Sequence, residues 1–174
     1  PSLTLPRLQA VADVMEALGW RGARQDPASV RDTAPNALQP AILANGVMNG
    51  WLTRLSEDHG LTGLALQPWP VEKLVDELFL RLLTRAPQAE ERQRLTAYLR
   101  EGYSTRLVAS PVAVPVPHQV LQVVTWTNHL QPESNTAKQE AEAAARRGDP
   151  PSPRLDPVWR QRCEDVIWAL LNSP

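Results

Sequence analysis

The end of the chain constrains the fold most strongly. Asp156 and Pro157 precede a stripe of apolar residues at helical spacing: Trp159, Cys163, Val166, Ile167, Leu170 and Leu171. An aspartate before a helix accepts the unpaired N–H groups of the first turn, and proline fits the first helical position, where its missing N–H leaves nothing unpaired. The spacing predicts an amphipathic helix from Asp156 onward, and so wide a stripe must be buried against something.

Other segments share this period. Val71 to Leu83 carries Val71, Leu74, Val75, Leu78, Phe79 and Leu82 three and four apart, with Glu77 one turn before Arg81. Ala86-Pro87 interrupts the pattern, and a further helix begins near Gln88, with Leu95, Tyr98 and Leu99 facing inward and Glu90 spaced to pair with Arg94. So short a break predicts an αα-hairpin. Thr4 to Leu18 reads as a helix with Leu8, Val11, Ala12, Met15 and Leu18 on one face and Gly19 as its stop. From Leu38 to Leu55 a face of Leu38, Ile42, Val47, Trp51, Leu52 and Leu55 is weakened by Gly46 and Gly50, so this helix is either continuous or broken. Asn135 to Arg147 reads as a polar helix, with Thr136 and Gln139 at capping-box spacing, Glu142 before Arg146, and Gly148 as its stop.

Prolines mark the remainder. Residues 20–35 form a long loop, and Asp149 to Pro153, with three prolines in five residues, reads as a stiff linker. Between Pro111 and Pro117, Val112, Val114 and Val116 alternate with Ala113 and Pro115, which suits extended or polyproline-like chain or an edge strand. Val120 to Trp126 fits a short strand and a buried extended segment equally. The expected architecture is therefore all-α: a compact single domain over residues 1–174 of about five or six helices, with a Pro/Val-rich extended segment across it at 103–131.

With 174 residues, the chain is long enough to hide about 70% of its unfolded surface without staples. Eighteen basic and nineteen acidic side chains leave a net charge of −1, which argues against nucleic acid as a partner. No apolar run approaches the roughly 20 residues that span a bilayer, so the piece in hand is expected to be soluble. The chain opens on Pro1 and stops just after its strongest amphipathic pattern, which suggests a fragment of a longer protein.

The wording VEKLVDELFLRLLTRAPQAEERQRL from Val71 to Leu95 and the closing DVIWALLNSP resemble a domain of unknown function found in large multidomain proteins of planctomycetes and related bacteria. The resemblance extends to DTAPNALQPAILANG at 32–46 and WTNHLQPE at 126–133. In that family the domain closes chains that often carry a cytochrome-type haem domain near the N-terminus. The resemblance implies an exported, periplasmic or envelope-associated parent and brings no catalytic residue with it. Gln88 stands where the family tends to have threonine, and this implies a cap weaker by on the order of 0.5–1 kcal/mol.

No cofactor is expected within this chain. Cys163, the single cysteine, cannot complete a Cys-x-x-Cys-His haem attachment, and His59, His118 and His129 lack the spacing of a local metal motif. No catalytic residue stands out either: Glu90 and Glu91 are adjacent and diverge on a helix, and no Gly-x-Ser-x-Gly elbow or phosphate-binding glycine loop occurs. The candidate binding residues lie in two polar blocks, 32–49 and 126–133: Asp32, Asn36 and Asn45 in the first, Trp126, Asn128 and His129 in the second. On a continuous helix Asn45 and Asn49 would share a face, and their amides can hydrogen-bond a sugar or a partner backbone. Trp51, Trp159 and Trp168 are expected in helix contacts, while Trp20, Trp69 and Trp126 lie near breaks. The primary reading is a noncatalytic accessory module that recognises a neighbouring domain of its parent chain or a protein partner through its Pro/Val-rich segment and exposed tryptophans. The second is part of a ligand or active site, for instance for a polysaccharide, assembled from both blocks.

Overall fold

The helical periods take the form of eight α-helices in a computed structural model that describes residues 6–20, 34, 37–109, 111, 124 and 127–173. They are α1 (Pro6–Ala17), α2 (Leu38–Asn45), α3 (Val47–Thr53), α4 (Gly60–Ala65), α5 (Val71–Leu83), α6 (Ala89–Arg100), α7 (Pro132–Arg147) and α8 (Pro157–Leu171). Among the described residues there is no strand; two isolated bridges join Ser56 with Pro151 and Leu107 with Leu155. The fold is all-α. Two helices exceed the expected six. One comes from a break at Gly46, where an added Cβ would lie 2.2 Å from the Ile42 carbonyl oxygen, so the chain turns where only glycine fits. The other is α4, too short for its period to show. The Val-Pro run at 112–117 and most of 120–126 lie outside the described residues. The chain falls into two compact units, residues 1–51 with 117–148, and residues 52–116 with 149–174.

In the second unit, α5 and α6 form the expected hairpin, with α8 packed against both. Asp156 caps α8: its Oδ1 accepts the Val158 and Trp159 N–H groups at 3.0 and 2.9 Å. The predicted stripes become the core, in which Leu74, Leu78, Phe79, Trp159 and Ile167 are sealed from solvent. Three expectations change. Tyr98 is exposed and bonds Asp165, while its neighbour Leu99 takes the buried position. Trp168 is exposed on α8, outside the stripe. The charge pairs cross the hairpin instead of running along each helix: Glu72 meets Arg100 at 2.5 Å and Asp76 meets Arg92 at 2.6 Å. Glutamate also reinforces the start of α6. Glu91 accepts the Gln88 N–H at 2.7 Å and is held by both Arg85 amino groups at 2.8 Å, which keeps its carboxyl down at about 2.

The Pro-rich stretch expected to be a linker is built into this unit. Ser152 is fully buried, its N–H donates to the Leu55 carbonyl at 2.7 Å, and its carbonyl accepts from Arg160 at 3.1 Å. Prolines on either side supply no N–H, so Ser152 carries the one backbone donor between 150 and 153, and its bond to Leu55 helps tie the stretch down.

In the first unit α1 packs against α2 and α7. Gly19, at φ 88°, ends α1 as expected. The face of α1 does not follow expectation: Val14 and Ala17 are buried, while Leu8 and Met15 are 43% and 40% exposed and Leu18 is also exposed. Helix α7 begins three residues before Asn135, at Pro132, so Thr136 and Gln139 lie inside it and do not cap it. Proline at the first position and a turn that hands two donors, the Gln131 N–H and the Ser134 hydroxyl, to the Asn128 carbonyl account for the earlier start. Gly148 ends α7 at φ 70°.

Candidate binding cleft

Helix α2 presents Leu38, Ala41, Ile42 and Asn45 at i, i+3, i+4 and i+7, one face of a helix. From α1 come Asp13, Glu16 and Ala17, with Asp13 and Glu16 one turn apart. These residues and Gly46 line a surface cleft of about 600 Å³, within the range of small-ligand and side-chain sites. The small side chains of Ala17 and Ala41 leave the space, and Leu38 and Ile42 give it apolar walls. Two carboxylates and one primary amide are its polar lining groups. Chemically the cleft offers dispersion contact, hydrogen-bond acceptors and one amide donor group.

Of the sequence-derived candidates, Asn45 is exposed and lines this cleft. Asn49 does not share its face, because the break at Gly46 turns α3 away: Asn49 is buried and donates to the Ala44 carbonyl at 3.0 Å. Asn128 is half-buried in the turn before α7, where its carbonyl serves that turn, and His129 beside it is exposed. Neither is among the residues lining the cleft. Asp32, Asn36 and Trp126 lie outside the described residues. No family model matches the chain, and no curated protein or solved structure matches it.

Other polar clusters are consumed by the architecture of the second unit. Arg106 is buried, donating to the carbonyls of Ala65, Tyr103 and Gln67 at 3.0, 2.8 and 2.5 Å, with its guanidinium 3.8 Å over the Tyr103 ring. It ties the end of α4 to its own turn at 103–106. The Ser152 hydroxyl donates to Glu57, a pairing suited to a general base and its nucleophile, but this serine is fully buried and also accepts the Arg154 N–H at 3.3 Å. It holds the Pro-rich stretch. Burial pushes the Cys163 thiol up to about 12, which leaves it protonated and unreactive near neutrality. His59 caps α4, its Nδ1 accepting the Leu61 N–H at 3.4 Å, and burial lowers its pKa. Among the described residues no group of three or more His, Cys, Asp or Glu side chains is placed to hold a metal ion.

Sequence reasoning missed Asp13, Glu16 and Ala41. Their one signal was the i, i+3 spacing of the two acids, indistinguishable from an ordinary solvated helix face until α2 is known to lie alongside.

Proposed function

We propose that this chain is a noncatalytic interaction module, and that the cleft between α1 and α2 is its recognition surface. The cleft itself carries the reading: it pairs apolar walls with an unequal set of polar groups, rich in acceptors, on two helices of one unit. Apolar walls beside hydrogen-bonding groups favour holding a polypeptide segment, whose backbone the Asn45 amide can pair. The first partner to test is a neighbouring domain of the parent chain, in keeping with an accessory role in a larger exported bacterial protein.

The test is a titration of the isotope-labelled chain with a panel of short capped peptides bearing apolar side chains, followed by backbone amide shifts. At least one peptide should move the amides of Ala17, Ala41, Ile42 and Asn45 saturably. An Ala41→Trp variant, which fills the cleft, should lose that response. If no peptide moves these amides, or if the shifts persist in the filled variant, the reading fails.

A further inference from the structure

The sequence holds two Asn-Gly pairs four residues apart, Asn45-Gly46 and Asn49-Gly50. In such a pair the backbone nitrogen of the glycine, with no side chain beside it, can attack the Cγ of the asparagine amide. We propose that Asn45 is a site of spontaneous deamidation in the folded protein, and that the fold shields Asn49 from the same reaction. The Gly46 nitrogen forms a bond to the Asn45 Cγ and gives up its proton, the Cγ–Nδ2 bond breaks, and Nδ2 leaves with that proton as ammonia. Water then opens the cyclic imide at either carbonyl and leaves aspartate or isoaspartate at position 45. Solvent water is the only co-reactant.

Three observations separate the two pairs. Asn45 is exposed and is the last residue of α2, so the bond that holds its nucleophile, from the Gly46 N–H to the Ile42 carbonyl at 3.0 Å, is the terminal one of that helix. Fraying ends open at the lowest cost. Asn49 lies inside α3 and is buried, its amide nitrogen donating to the Ala44 carbonyl at 3.0 Å, so its Cγ meets the Gly50 nitrogen only after the side chain leaves the interior. Glycine is also required at position 46, where an added Cβ would lie 2.2 Å from the Ile42 carbonyl oxygen, whereas nothing lies within 4 Å of one at Gly50. The fold thus keeps the least hindered nucleophile beside the exposed asparagine. Deamidation would add a carboxylate to a cleft lining that already holds Asp13 and Glu16, and the isoaspartate form would add a methylene to the backbone as well. The inference is independent of what the cleft binds.

The test incubates the full chain in mildly alkaline buffer, with and without concentrated urea, and follows amide-to-acid conversion at both asparagines by peptide mapping in a mass spectrometer, with released ammonia as a second readout. In urea the two pairs should react at similar rates, because the local sequence alone then acts. In the folded chain Asn45 should convert at least about tenfold faster than Asn49, the factor given by about 1.4 kcal/mol of difference in local opening. Asn45→Gln should remove the product at position 45 and leave the Asn49 rate unchanged. Gly50→Ala, for which the structure has room, should slow Asn49 in urea. A folded chain in which Asn45 converts no faster than Asn49 overturns the inference, as does an Asn49 that reacts equally fast with and without urea.

Discussion

Helices α1 and α8 have the same apolar period and opposite fates. In the second unit, α8 enters through a capping aspartate and an N1 proline, and its stripe seats Trp159, Cys163 and Ile167 in a core shared with α5 and α6. In the first unit, α1 turns Val14 and Ala17 inward and leaves Leu8 and Met15 substantially exposed. Periodicity therefore announces a helix in both cases, but it identifies the buried face only where the stripe is wide and bulky enough to leave no alternative. On α1 the buried residues are the small Val14 and Ala17, three apart, and a narrow pair of this size leaves no trace in the period that marks a bulky stripe.

Substitutions can break or sharpen this contrast. The largest effect is expected for Ile167→Ala, which empties a fully buried site and should cost about 2–5 kcal/mol in urea unfolding. A cost below 1 kcal/mol would show that the α8 stripe is not core. Next comes Asp156→Ala, which strands the Val158 and Trp159 N–H groups and should cost about 1 kcal/mol, with Asp156→Asn recovering most of it. No recovery would mean that the residue acts otherwise than as a cap.

A smaller effect, visible through pH, concerns the start of α6. The hydrogen bonds from Arg85 and the Gln88 N–H hold the Glu91 carboxyl at about 2, below its ordinary 4.5. A depressed carboxyl stabilises the fold fully above the ordinary value and loses that contribution as the pH falls toward about 2. The difference in urea midpoint between the wild-type chain and Glu91→Gln should therefore be present at pH 7 and close progressively below 4.5. A gap that does not change with pH contradicts the pairing. The smallest effect belongs to α1: Met15→Ala, at a surface position, should stay within about 0.5 kcal/mol. A cost comparable to that of Ile167→Ala would restore the face that periodicity alone proposes for α1 and erase the contrast.

The candidate site was legible only in fragments. Asn45 was singled out for its amide, yet its expected companion Asn49 points inward, because the chain turns at Gly46. The glycine was visible as a weakness; the steric reason, a Cβ position occupied by the Ile42 carbonyl, exists only once the chain has folded. Likewise, Arg106 looked like any basic residue, and only the convergence of the carbonyls of Ala65, Gln67 and Tyr103 makes it a buried tie.

By itself the sequence determined the helical class, the hairpin of α5 and α6, the capped entry and buried stripe of α8, and the glycine stops of α1 and α7. Each of these depends on residues within a few positions of one another, through backbone geometry, capping or the 3.6-residue period. Only the tertiary structure decided which face of α1 is buried, that the proline-rich stretch at 149–153 is tied down through Ser152, and that two acids of α1 share a cleft with the face of α2. Those outcomes depend on groups far apart in the chain meeting in space, and a local pattern has no term for the neighbour that arrives from elsewhere.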